Sequence, residues 1–122
     1  MSAKSILIVD DNEKNLKLIR DILQFKGFVT FEAVDGEAAV QQALANLPTL
    51  ILMDVQLPGM DGRTAMKAIK AAEPTRHIPV IALTALAMRG TREDLLADGF
   101  DDYISKPIDI KEVINLVQKY LG

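Results

Sequence analysis

Short apolar runs alternate along the chain with segments whose apolar residues recur at helical spacing. The runs Ser5–Val9, Thr49–Met53 and Pro79–Leu83 are nearly continuous in Ile, Leu, Val, Met and Ala. Runs of that length and composition suit strands covered on both faces, as in a parallel sheet. Phe28–Ala33 and Asp102–Ile104 are weaker strand candidates. Between the runs, helices are expected from about Asn12 to Lys26, from about Gly36 to Asn46, after Asp61-Gly62, from about Arg92 to Asp98, and from Asp109 onward. Leu16, Ile19 and Leu23 mark the buried stripe of the first helix, and Gly27 its stop. Asp10 with Glu13 reads as a capping box at its start. The second helix is expected to bury Val40, Ala43, Leu44 and Leu47, the third Met66 and Ile69, and the fifth Val113, Leu116, Val117 and Tyr120. Asp109 and Glu112 supply a start signal for the fifth.

A strand–helix unit repeated five times implies an α/β fold with a mostly parallel sheet and helices on both faces. Right-handed crossovers leave few topologies. The 122 residues are the size of one domain, and the repeat occupies all of them. A 49% apolar and 25% charged composition is that of a globular chain. The net charge is −3 and no basic stripe occurs, so nucleic acid is not an expected partner. The absence of cysteine removes disulfides, thiolate metal sites and thiol nucleophiles. Neither a signal peptide nor a membrane-spanning run is visible, so a soluble cytoplasmic protein without membrane association is expected.

In open parallel sheets, ligands bind beyond the carboxyl ends of the strands, where strand order reverses. Asp10 and Asp11 follow the first strand candidate, Asp54 the third, Thr84 the fourth, and Lys106 the fifth. Three carboxylates, a hydroxyl and an ammonium are therefore expected on one edge. Asp10 and Asp11 read equally well as helix caps, Thr84 as an ordinary strand end, and Lys106 as a solvated lysine. Asp54 is harder to explain structurally, because it ends a buried apolar run and gains nothing there from its charge. Crowded carboxylates call for a cation, and hard oxygen donors favour Mg²⁺, with Mn²⁺ the alternative. His77 is the sole histidine, has no companion at metal or base spacing, and is assigned no role.

The segments Val9-Asp10-Asp11-Asn12, Leu52-Met53-Asp54-Val55 with Pro58-Gly59-Met60-Asp61-Gly62, Leu83-Thr84-Ala85 and Ser105-Lys106-Pro107 resemble, in that order, the signatures of the bacterial two-component response regulator receiver family. The resemblance covers residues 1–122, and within the family it points to single-domain regulators of the DivK type. It implies a flavodoxin-like (βα)5 doubly wound sandwich with sheet order 2-1-3-4-5. It implies Asp54 as phosphoacceptor, and Asp11, Asp54 and the Gln56 carbonyl as Mg²⁺ ligands, with Asp10 supporting the metal through water. Thr84 matches the hydroxyl that swings to the phosphoryl group, Lys106 the ammonium that pairs with it, and Tyr103 the aromatic switch. The Lys106–Pro107 bond is cis in relatives. Gln56 and Leu86 stand at the two positions that tune hydrolysis, and apolar Leu86 is expected to lengthen the phosphoryl lifetime.

The implied partners are a histidine kinase or histidine phosphotransfer protein as donor, and a downstream protein docked on the fourth helix, fifth strand and fifth helix, about Met88 to Tyr120. The implied state is a monomer or weak dimer, and the implied role is a signalling phosphoacceptor rather than an enzyme. Three other readings differ in their motifs. A phosphatase of the haloacid-dehalogenase type needs a second Asp where Gln56 stands. A flavodoxin-like nucleotide binder needs a phosphate loop where Asp10-Asp11-Asn12 stands. A receiver that only docks would have no use for the set of site residues found here.

Overall fold

The computed structural model describes residues 4–85 and 91–121. Five strands, β1 (Ser5–Val9), β2 (Val29–Ala33), β3 (Leu50–Asp54), β4 (Val80–Thr84) and β5 (Asp102–Ser105), alternate with five helices, α1 (Glu13–Phe25), α2 (Gly36–Asn46), α3 (Gly62–Ala71), α4 (Thr91–Asp98) and α5 (Ile110–Leu121). All strand pairs are parallel and the order is β2-β1-β3-β4-β5, the doubly wound flavodoxin-like arrangement that the family resemblance implies.

The two faces of the sheet follow from the period of two along each strand. Ile6 and Ile8, Leu50 and Leu52, and Ile81 and Leu83 pack with Leu16, Ile19 and Leu23 of α1 and Val113, Val117 and Leu121 of α5. The intervening Leu7, Val9, Ile51, Met53, Val80 and Ala82 pack with residues of α2, α3 and α4. Every residue of β3 and β4 is buried, which is why their sequences are continuous rather than alternating. Strand order reverses between β1 and β3, and a crevice at that switch point is where this topology places a ligand.

Three local expectations need correction. β3 and β4 each end one residue later than the apolar runs suggest, so Asp54 and Thr84 are the last strand residues rather than the first loop residues. Their backbones are held in the ladder opposite Leu83 and Ser105. The α1 cap is Asn12, whose side chain accepts from Lys14 N–H and Asn15 N–H, whereas Asp10 is turned inward and the Asp10–Glu13 box is not made. On α2, Ala43 is buried and Val40 packs partly against the core as expected, but Gly36 and Ala39 complete the buried face, while Leu44 and, just past the helix, Leu47 are 45% and 53% exposed. The small face goes inward because α2 begins against the β3–α3 loop: a Cβ on Gly36 would lie 2.5 Å from the Met60 carbonyl oxygen. α1, α3 and α5 bury the residues expected of them, with Leu116 and Tyr120 only partly covered. Among the described residues, no helix is long and apolar enough to cross a membrane.

Candidate functional site

Asp10 is the first residue after β1, and its backbone N–H still donates to the Ala33 carbonyl at 3.1 Å. That bond and the chain turn into α1 carry its side chain under the surface, where it is fully buried. Its Oδ1 accepts from Asn12 N–H at 2.9 Å and its Oδ2 from the Asn15 side-chain amide at 3.1 Å. Asp11 is exposed beside it. Asp54, 3% exposed, ends β3 next to β1. Its Oδ1 accepts from Gln56 N–H at 2.9 Å, and its Oδ2 from Lys106 Nζ at 2.8 Å. Lys106 follows β5 and is held by its own N–H, which donates to the Thr84 carbonyl at 2.7 Å. Its ammonium also lies 3.3 Å from Asp10 Oδ2. The Lys106–Pro107 bond is cis, as the resemblance implies.

One oxygen from each of Asp10, Asp11 and Asp54 can be chosen so that all three lie within 4.8 Å of one another. Three carboxylates against one ammonium leave two negative charges, the deficit that a divalent cation would fill. The donors are all hard oxygens, and the chain has no cysteine to offer a softer ligand. The residues therefore fit a Mg²⁺-type ion. Burial pushes the Asp54 carboxyl above the usual carboxylate range, and the Lys106 and Gln56 hydrogen bonds only partly offset it. Burial acts to lower Lys106, but the hydrogen bond to Asp54 and the charges of Asp10 and Asp54 outweigh it, so its ammonium is held above the ordinary lysine value. Lys106 therefore does not hold Asp54 down, because burial outweighs its hydrogen bond there and the like charge of Asp10 adds to the burial.

The floor under Asp54 is made by α3. Asp61 caps that helix by accepting from Thr64 N–H at 2.8 Å, and Gly62 N–H donates to the Val55 carbonyl at 2.9 Å. A Cβ on Gly62 would lie 2.0 Å from the Asp54 carbonyl oxygen, so only glycine lets the helix start this close to the strand end.

The fold thus brings together Asp10, Asp11, Asp54 and Lys106, with Gln56 adjoining Asp54 through its N–H and Thr84 buried at the end of the neighbouring strand. Tyr103 stands apart on β5, half-buried, lining with Ser105, Glu112, Asn115, Leu116 and Lys119 a groove of about 360 Å³ beside α5. Leu86 and Met88 lie outside the described residues. His77 is exposed. The sequence reading missed Asn15. Its signal was an amide donor, instead of a carboxylate, at the third position of α1.

Residues 6–118 match the family model described as the response regulator receiver domain. The chain is 45% identical over 119 residues to the polar-differentiation response regulator DivK of Brucella ovis, covering 98% of this chain and 97% of that one. The homologue of the same name in Brucella anthropi is 44% identical over the same span. Among solved structures, the receiver domain of a Pseudomonas aeruginosa sensor histidine kinase, with a magnesium ion coordinated in its active-site cleft, aligns with a TM-score of 0.89 at 38% identity over 99% of each chain. The receiver domain of a Francisella response regulator aligns with a TM-score of 0.88 at 30% identity, covering 96% of this chain and 95% of that one. Motifs, topology and these likenesses agree, and the chain belongs to the response regulator receiver domain family.

Proposed function

We propose that the protein is a phosphorelay receiver, one domain over residues 1–122, that accepts a phosphoryl group on Asp54 in a Mg²⁺-dependent reaction. The observation that carries this reading is the trio Asp10, Asp11 and Asp54 closed by Lys106. Asp11, Asp54 and the Gln56 carbonyl would hold the ion, and Asp10 would support it. When bound, the ion supplies charge neutralisation for the oxygens of the transferring group.

The donor is a phosphohistidine of a kinase or phosphotransfer protein. An Asp54 carboxylate oxygen attacks phosphorus as the P–N bond to the imidazole breaks, and the imidazole leaves with the bonding pair. Lys106 begins on Asp54 Oδ2 and can follow the charge onto the phosphoryl oxygens, a preorganised clamp that needs no solvent to reorganise. Gln56 N–H keeps the other carboxylate oxygen oriented. Thr84, buried at the end of β4, would turn its hydroxyl to the phosphoryl group, and Tyr103 would follow inward. The phosphoryl group then favours one of two pre-existing states rather than building a new one. The proposed readout is a downstream protein docked at α4, β5 and α5, where the groove beside Tyr103 lies. The proposed setting is the cytoplasm, and the proposed state a monomer or weak dimer.

Incubation with acetyl phosphate and Mg²⁺, followed by intact-mass measurement, tests the reading. Wild type should gain one phosphoryl group, and D54N or wild type in EDTA should gain none. Equal labelling of D54N would overturn it.

A further inference from the structure

We infer that Asn15 is a positioning residue of the site: its side-chain amide fixes Asp10 so that this carboxylate stays set beside Asp11 and Asp54 for the cation instead of turning onto Lys106. The inference rests on the cation-binding reading given above and adds a residue to it.

Asn15 is at the third position of α1, where a capping-box acid would reach back to the N–H of the cap residue. Here that N–H, from Asn12, already donates to Asp10 Oδ1 at 2.9 Å. The Asn15 side chain is thereby released from capping, and its Nδ2 donates instead to Asp10 Oδ2 at 3.1 Å. An ionised carboxylate only accepts, so the contact requires the amide nitrogen, not the amide oxygen. The same Oδ2 lies 3.3 Å from Lys106 Nζ, which is 2.8 Å from Asp54 Oδ2. Asp10 is fully buried, so its oxygens cannot turn to bulk water for partners.

Two donors therefore share one oxygen, one neutral and one charged. Take the neutral donor away and Asp10 Oδ2 is left to Lys106 Nζ, so the carboxylate can turn onto the ammonium and out of the place where the cation needs it. The neutrality of the amide matters as well. A lysine or arginine at this position would hold Asp10 equally firmly but would cancel charge that the cation needs. Outer partners of this kind typically alter metal affinity by about tenfold or more when removed.

The test uses Asn15→Leu, of the same shape without the donor, and Asn15→Ala, a strong helix former, should the first fold poorly. Circular dichroism verifies folding, and calorimetric titration of the metal-free protein with MgCl₂ reads affinity. Both variants should bind Mg²⁺ about tenfold more weakly than wild type. In an Asp10→Ala background, adding N15L should produce no further loss, because the effect runs through Asp10. Wild-type affinity in folded N15L or N15A overturns the inference, and so does an undiminished loss in the Asp10→Ala background. Absence of Mg²⁺ binding by wild type itself would instead overturn the functional reading beneath it.

Discussion

Replacing Lys106 with methionine keeps an unbranched stem of similar length and deletes the ammonium. In the absence of divalent ions it removes the 2.8 Å bond to Asp54 and the 3.3 Å approach to Asp10, leaving two buried carboxylates with no cation between them. Breaking a buried pair from one side costs about 3–5 kcal/mol. The Lys106 side chain is 20% exposed, so the lower end applies, about 3 kcal/mol. Mg²⁺ should narrow the difference. In wild type the ion competes with an ammonium for Asp54 Oδ2, and a charge-assisted hydrogen bond is worth about 1.5–3 kcal/mol. Freed of that competitor, K106M should bind Mg²⁺ about tenfold more tightly, tenfold being about 1.4 kcal/mol. Wild type gains from the ion too, so at Mg²⁺ well above both dissociation constants the tenfold should narrow the gap by about 1.4 kcal/mol, roughly half of the loss. Urea unfolding followed by circular dichroism, in EDTA and in MgCl₂, gives the stabilities, and calorimetry gives the affinity. A K106M protein within about 0.5 kcal/mol of wild type in EDTA, with unchanged Mg²⁺ affinity, would falsify the view that Lys106 balances the acid cluster. Labelling by acetyl phosphate should be slowed in the same variant even at saturating Mg²⁺, because the clamp on the phosphoryl oxygens is lost.

Gly62→Ala places a methyl group 2.0 Å from the Asp54 carbonyl oxygen and 2.8 Å from the Val55 Cα, both backbone atoms; it should cost about 3 kcal/mol or more in urea unfolding and slow Asp54 labelling. Asp61→Ala removes the α3 cap and should cost about 1 kcal/mol at neutral pH. The Asp61 carboxyl is held below its usual 3.8 by hydrogen bonds from Thr64, so this contribution is complete above pH 3.8 and is lost as pH falls through the lowered native value; the urea midpoints of D61A and wild type should converge on acidification. Thr84→Ala should still accept a phosphoryl group from acetyl phosphate, whereas beryllofluoride should shift the NMR signals of Tyr103 in wild type and leave them unmoved in the variant.

The parts of the fold most legible in the sequence are those where burial is one-sided or complete. Ile6 to Val9, Leu50 to Met53 and Val80 to Leu83 declare buried parallel strands because helices cover both sheet faces. Leu16, Ile19 and Leu23 declare α1 because one stripe faces the core. Asp54 and Thr84 fell one residue outside the expected strands because strand pairing is a backbone property and continues under a polar side chain. On α2, large apolar side chains suggested the buried face, but the β3–α3 loop lies too close to Gly36 for a side chain there, and the face that turns inward with it carries Ala39 and Ala43. The four charged residues of the site were legible from their places after strands. Asn15 was not, because its role depends on which acceptor is left after Asn12 N–H has been taken by Asp10, a choice made in three dimensions.

The acid cluster is proposed to hold one divalent ion and to present Asp54 for phosphorylation. A crystal structure grown with MgCl₂ and beryllofluoride tests it most directly. A single ion should be bound by Asp11 and Asp54 at about 2.0–2.1 Å, with beryllofluoride joined to an Asp54 oxygen and Lys106 shifted onto a fluorine. Magnesium bound elsewhere, or beryllofluoride absent from Asp54 in well-ordered density, would contradict it.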